Sequence, residues 1–268
     1  MAKLKFLGSG SAFVTGKENY HSNILIESDN GKKMLYDCGT TINDALDTAG
    51  VDVMDIDEVF ISHLHGDHSA GLEFVGFKTY FSTFPFGDKK VKVISSENIL
   101  TDLWKKQLSA SMDSLETKSS LDTYFEVSPI KEKKNEYGKY KENFFFEDME
   151  IIPIETIHSK MESYGIFIKK FGGMYDIFIT GDTKFTPDNL LFNYSNANII
   201  FQDCEFAEYP NGVHAQFHEL KTLPSEIKEK MYLYHYMLNG KTFEELEKEV
   251  KDAGFVGLVR RGFELIIN

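Results

Sequence analysis

The sequence predicts an α/β protein, and two observations carry that expectation. Short β-branched and aromatic runs alternate with segments of helical period, and the apolar runs repeatedly end in a histidine or an aspartate. A third observation bears on organisation. The six prolines are scattered, with no internal repeat, low-complexity tract or Pro-rich linker, so one domain over residues 1–268 is expected.

The elements follow in order. KLKFLGSGSAF reads as a strand entering a Gly/Ser turn, and SNILIES and KKMLYDCG flank an Asn-Gly pair, a strong hairpin signal. TTINDALDTAG opens on capping residues and closes on glycine, as a helix does. DIDEVFISHLH is a strand that brings His63 to its C-terminal end. EFVGFKTYFSTFPF carries more apolar and aromatic residues than an exposed loop should. VKVISS is a strand, and SENILTDLWKKQLSASM is a helix with Leu100, Leu103, Trp104 and Leu108 on one face. TYFEVSPI and FFFEDMEIIPIETIH are strand-like, the second ending at His158, and the charged KEKKNEYGKYKEN between them reads as a solvated hairpin loop. YGIFIKK and YDIFITGDT form a hairpin broken at FGGM and ending at Asp182. NANIIFQDCEF is a strand, LPSEIKEKMYLYHY a helix leading to a strand that bears His235, and FEELEKEVKDAG a terminal helix.

Composition limits the function. The formal net charge is −13, from 29 basic and 42 acidic residues, which argues against a long nucleic acid, because phosphate neutralisation supplies most of such affinity. It leaves room for a small anion drawn to a metal. The 23 Phe and 13 Tyr read as a bulky core. Cys38 and Cys204 make no disulfide framework, the N-terminus has no long apolar core, and no stretch is long enough for a membrane span. A cytoplasmic protein is expected.

The chemistry concentrates in ISHLHGDHSAGL. Three of the chain's eight histidines stand there with Asp67 as H-x-H-x-D-H: His63, His65 and His68. Alternate residues point to one side and the next pair can reach a second point. Imidazole and carboxylate suit zinc, as well as manganese or iron. Buried without a metal, each such group would cost about 1–3 kcal/mol. His158, Asp182 and His235 each follow an apolar run, so seven donors collect at one sheet edge, which suits two metal ions sharing one carboxylate.

On these residues the chain resembles the metallo-β-lactamase fold, specifically its ribonuclease Z-like phosphodiesterase branch. FLGSGSAF, YDCG, SHLHGDHSAGL, IHS, TGDT and LYHY carry the resemblance over most of the chain. It implies a four-layer αββα sandwich with the metals at one edge. It also implies His63, His65 and His158 on one ion, Asp67, His68 and His235 on the other, and Asp182 as a bridge, with Asp67 serving the catalytic group as well. The β-lactamases of this fold carry cysteine at the position of Asp182, so antibiotic hydrolysis is not expected. Ribonuclease Z-like enzymes have a HEATF-like segment followed by a catalytic histidine. QDCEF and VHAQFHEL stand in that order, which implies His214 as that histidine and Asp203 as its carboxylate, with Glu205 the alternative. His218 would share a helical face with His214 if the stretch were helical, and His21 is expected to be structural.

The tRNA-processing members carry a long arm between the matches of His158 and Asp182, where this chain has room only for a hairpin. The short form, GLEFVGFKTYF and the QDCEF to VHAQFHEL arrangement are similar to the anti-Pycsar-type cyclic-nucleotide phosphodiesterases of phages and some bacteria. That resemblance implies hydrolysis of 3′,5′-cyclic mononucleotides to 5′-nucleotides with two divalent ions, zinc foremost and manganese as alternative, and a homodimer. RNA 3′-end processing, a lactone or ester hydrolase, and a nucleotide-binding sensor are the other readings.

Overall fold

The computed structural model describes residues 1–15, 19–114, 116–135, 138–207, 209 and 212–267. Two seven-stranded sheets face each other. The first has the strand order β16-β1-β2-β3-β4-β5-β6, comprising β1 (Ala2–Phe6), β2 (Ile24–Glu27), β3 (Lys33–Tyr36), β4 (Glu58–Phe60), β5 (Val91–Ser96), β6 (Phe125–Ile130) and β16 (Glu264–Ile267). β7 (Glu132–Asn135) and β8 (Gly138–Lys141) form a separate ribbon, the expected charged hairpin, whose tip lies outside the described residues. The second sheet has the order β15-β14-β13-β12-β11-β10-β9. Its strands are β9 (Phe144–Phe146), β10 (Met149–Glu155), β11 (Tyr164–Lys170), β12 (Asp176–Ile179), β13 (Ile199–Asp203), β14 (Met231–Tyr234) and β15 (Gly257–Leu258).

Each sheet is half antiparallel and half parallel. β3, β4, β5 and β6 run parallel, as do β12, β13, β14 and β15. Parallel neighbours need crossovers, which the helices supply. Both inner faces join one buried cluster, in which Leu4, Phe6, Ile24, Leu35 and Phe60 of the first sheet pack with Ile166, Ile168, Ile179 and Phe201 of the second. The Phe6 and Phe201 rings are 4.9 Å apart, and the Tyr36 hydroxyl crosses to donate to the Tyr164 carbonyl at 2.9 Å. A second cluster seals the outer face of the second sheet, where Phe178 meets Leu190, Tyr194, Ile227, Leu246 and Val250 of the helices 187–196, 225–228 and 243–252. This is the four-layer αββα sandwich.

Three local differences from the sequence reading have physical causes. EFVGFKTYF, which the sequence reading assigned to no element, is part of the helix Leu72–Phe81. Its apolar residues occur on every side, so no amphipathic period marked it. FFFEDMEIIPIE is two strands, β9 and β10, paired across a turn at Glu147 (φ 53°). The helix Glu97–Met112 holds a π-helical stretch, Leu103–Leu108, which buries Leu103 and Leu108 while Trp104 packs only partly against the core.

Candidate metal centre

The donors stand just past the C-terminal ends of strands. β4 ends at Phe60, and the chain then carries His63 and His65 into the helical turn Gly66–Ser69, which holds Asp67 and His68. His158 follows β10, Asp182 follows β12, and His235 directly follows β14. Tight packing makes this convergence feasible. A Cβ at Gly39 would overlap the Asp67 carbonyl, and one at Gly181 (φ 62°) would lie 2.5 Å from the Tyr36 hydroxyl. Asp37 (φ 66°), Ser159 (φ 50°) and His235 (φ 59°) adopt left-handed backbone, a cost of about 1–3 kcal/mol each that the surroundings must hold.

The seven donors form two groups that share Asp182. In the first, His63 Nε2 and His158 Nε2 each lie 3.0 Å from His65 Nδ1, and both lie within 3.8 Å of Asp182 Oδ2. In the second, His68 Nε2 is 3.2 Å from Asp67 Oδ2 and 3.3 Å from Asp182 Oδ2. His235 Nε2 is 3.4 Å from Asp67 Oδ2 and from Asp182 Oδ1. Burial, first of all, pushes the His63, His65 and His158 pKa values down, so these rings are neutral, as imidazole ligands must be. His68 Nε2 and Asp182 Oδ1 are buried without a hydrogen-bond partner. One proton on His65 Nδ1 can satisfy only one of the two nitrogens facing it, and this, with the orphaned polar atoms, costs free energy that a cation would return. The donor set fits divalent metal ions. All seven predicted donors are brought together, and one element spacing, H-x-H-x-D-H, supplies four of them.

Other groups hold the rings in place. Asp37, fully buried, accepts from His68 Nδ1 at 2.7 Å, from the Ser62 N–H at 2.8 Å and from Ser62 Oγ at 2.8 Å. Ser62 Oγ also lies 2.9 Å from His63 Nδ1, and His158 Nδ1 donates to the Val213 carbonyl at 2.9 Å. These supports fix ring orientation and tautomer. Sequence reading missed Asp37 and Ser62. The signal was partial, since Asp37 sits at a strand end in YDCG and Ser62 directly precedes His63 in ISH.

Beside the second group stands His214. Its Nδ1 is 2.8 Å from Asp203 Oδ2, and its ring centroid is 5.0 Å from those of both His158 and His235. Burial lowers the His214 pKa, but the Asp203 carboxylate outweighs it and the net direction is up. Asp203 also accepts from the Thr183 N–H at 3.0 Å, and its Oδ1 is 3.2 Å from His235 Nδ1. Asp203 rather than Glu205 therefore meets His214, while Glu205 accepts from the Gln216 side chain. His218 is exposed in the helix Phe217–Leu220, which starts after His214, so the two share no helical face. His21 is buried outside both donor groups, its N–H bonded to Thr41 Oγ1 at 2.9 Å.

A helix-covered double sheet with H-x-H-x-D-H at its edge is the metallo-β-lactamase fold. By structure the chain is similar to a diphosphatase of the PhnP family, with a TM-score of 0.75 at 18% identity, covering 100% of this chain and 98% of that one. It is likewise similar to the short form of human tRNase Z, with a TM-score of 0.69 at 16% identity over 99% of both chains. The family profile described as "Anti-Pycsar protein Apyc1" matches residues 2–264, and the chain belongs to that family. Its relatives of that name include one from Bacillus phage 010DV004, 30% identical over 90% of this chain and 91% of that one. Another, from Paenibacillus harenae, is 31% identical over 87% and 89% respectively. Among the described residues no helix is long and apolar enough to cross a membrane.

Proposed function

We propose that this chain is a metal-dependent phosphodiesterase that opens 3′,5′-cyclic mononucleotides to 5′-nucleotides. Two divalent cations, zinc foremost, would be held one by His63, His65 and His158 and the other by Asp67, His68 and His235, with Asp182 shared. Such ions supply positive charge for a phosphoryl oxygen and acidify a water. The chain's own residues complete the reaction. When water attacks phosphorus, the 3′ oxygen leaves as an alkoxide and needs a proton. His214, held by Asp203 beside the donor rings of His158 and His235, would give one, and this arrangement carries the reading. With Nδ1 committed to Asp203, the proton to be donated resides on Nε2, and the carboxylate keeps the ring oriented and cationic. A lactonase has less use for such a pair.

The family's anti-Pycsar name supports a cyclic-nucleotide substrate. Against a tRNA substrate stand the net charge of −13 and the stretch from His158 to Asp182, which holds β11, β12 and a short turn with no arm. His214→Ala should lower kcat on a cyclic nucleotide by about 10²–10⁴ with metal content retained. On a nitrophenyl phosphodiester the loss should be smaller, because nitrophenolate barely needs the proton. Loss of metal from the variant would make His214 a ligand and sink the assignment. Cleavage of pre-tRNA without cleavage of cyclic nucleotides would replace the substrate reading.

A homodimer belongs to the same proposal. Phe81, Phe84 and Phe86 are 50%, 91% and 59% exposed, and their rings cluster, with Phe86 5.7 Å from Phe81 and 6.2 Å from Phe84. A patch of this kind suits a second copy. Light scattering at micromolar concentration should give twice the chain mass, and Phe84→Asp should shift it toward the monomer.

A further inference from the structure

The chain has only two arginines, Arg260 and Arg261. Both line one cavity of about 440 Å³. Three residues of its wall, Tyr236, Met237 and Asn239, also line the small pocket that opens on His214 and His235. The larger cavity therefore adjoins that pocket across Tyr236, Met237 and Asn239. Bonding ties the two together. Tyr236 follows His235, and its hydroxyl donates to the carbonyl of Val259, immediately before Arg260, at 2.8 Å.

Each guanidinium is laid on an aromatic ring. Arg260 lies 4.0 Å from the Phe243 centroid and Arg261 4.8 Å from that of Tyr20. Arg260 also pairs with Glu244 at 2.5 Å through one nitrogen. A guanidinium carries five donors in a rigid plane, and stacking fixes the direction of that plane. The rest of the wall mixes the apolar Val14, Met237, Leu238 and Phe243 with the carboxamides of Asn19 and Asn239. Apolar faces interleaved with neutral hydrogen-bonding groups match a nucleobase better than a second phosphate.

We propose that this cavity is a nucleobase subsite in which Arg260 and Arg261 read the carbonyl edge of the base, guanine in preference to adenine. The inference rests on the phosphodiesterase reading, which puts the substrate phosphate at the donor groups and leaves the base to extend past Tyr236 and Met237. An arginine fork matches guanine O6 and N7, whereas adenine presents an amino donor in place of O6.

The test is steady-state kinetics of the metal-loaded full chain on cyclic GMP, cyclic AMP and methyl nitrophenyl phosphate, which has no base. Wild-type protein should prefer cyclic GMP. Arg260→Ala and Arg261→Ala should each lower the cyclic GMP to cyclic AMP ratio of kcat/KM by about 10-fold. The change should fall on KM more than on kcat, and the ratio of cyclic GMP to the base-free diester should drop in parallel. Arg260→Lys and Arg261→Lys keep the charge and lose the planar fork, so they should behave like the alanine variants. Full rescue by lysine, or unchanged ratios in variants that melt like wild type, would overturn the subsite. Should wild-type protein cleave no diester at all, the phosphodiesterase reading fails separately, and calorimetry with 5′-GMP and 5′-AMP decides the subsite. Tighter GMP binding that Arg261→Lys abolishes would uphold it, and equal binding would overturn it.

Discussion

Two buried aspartates, one at the edge of each sheet, stand behind the donor groups, and they are not equivalent. Asp37 follows β3 and bonds one metal donor, His68, while Ser62 takes up its remaining capacity. Asp203 ends β13 and serves two rings, those of His235 and His214. Their electrostatics diverge accordingly. Burial raises the pKa of Asp37 despite His68, whereas for Asp203 the two imidazoles overcome burial and lower it. On the proposed function, the carboxylate behind the first sheet would serve a metal donor alone, and that of the second would serve both a metal donor and the proton-donating His214.

Substitutions can break or sharpen this contrast. The largest effect should come from Asp182→Ala, because this carboxylate serves both groups. Turnover should fall to background, and metal content should drop from about two ions per chain to one or fewer, since seven donors exceed what one tetrahedral ion needs. A wild-type content that stays at one after reloading would remove the two-ion arrangement. Asp203→Asn comes next, with kcat on a cyclic nucleotide falling by about 10–100-fold. Its loss should be milder on a nitrophenyl diester and should persist at saturating metal. Asp37→Asn should show the smallest effect once metal is in excess. It should weaken metal affinity by about 10–100-fold, equally for substrates with good and poor leaving groups. If excess metal rescued Asp203→Asn as fully as Asp37→Asn, the proposed division between the two carboxylates would be wrong.

Much of the centre was legible because the donors are chemically distinctive and sit where apolar runs stop. H-x-H-x-D-H is local, and its spacing alone places four donors within reach of one another. His158, Asp182 and His235 were legible as strand-end residues, and QDCEF before VHAQFHEL marked Asp203 and His214. The supporting shell was harder to see. Asp37 and Ser62 are common residue types whose roles depend on β3 and β4 lying side by side, which brings the Asp37 carboxylate to the Ser62 N–H. The helix Leu72–Phe81 was hidden for another reason. Its buried positions, Leu72, Val75, Gly76 and Thr79, include a glycine and a threonine, while Phe81 is half exposed, so hydrophobicity did not track burial.

By itself, then, the sequence determined the alternation of strands and helices, the donor types, and their placement at strand ends. These follow from side-chain period and local backbone preference, which act over a few residues. The tertiary structure decided which donors share Asp182, that Asp203 rather than Glu205 meets His214, and that Arg260 and Arg261 open onto the same cavity as Tyr236. Those outcomes depend on sheet order and on strands far apart in the chain, and only the packing of the two sheets brings such residues within hydrogen-bonding distance.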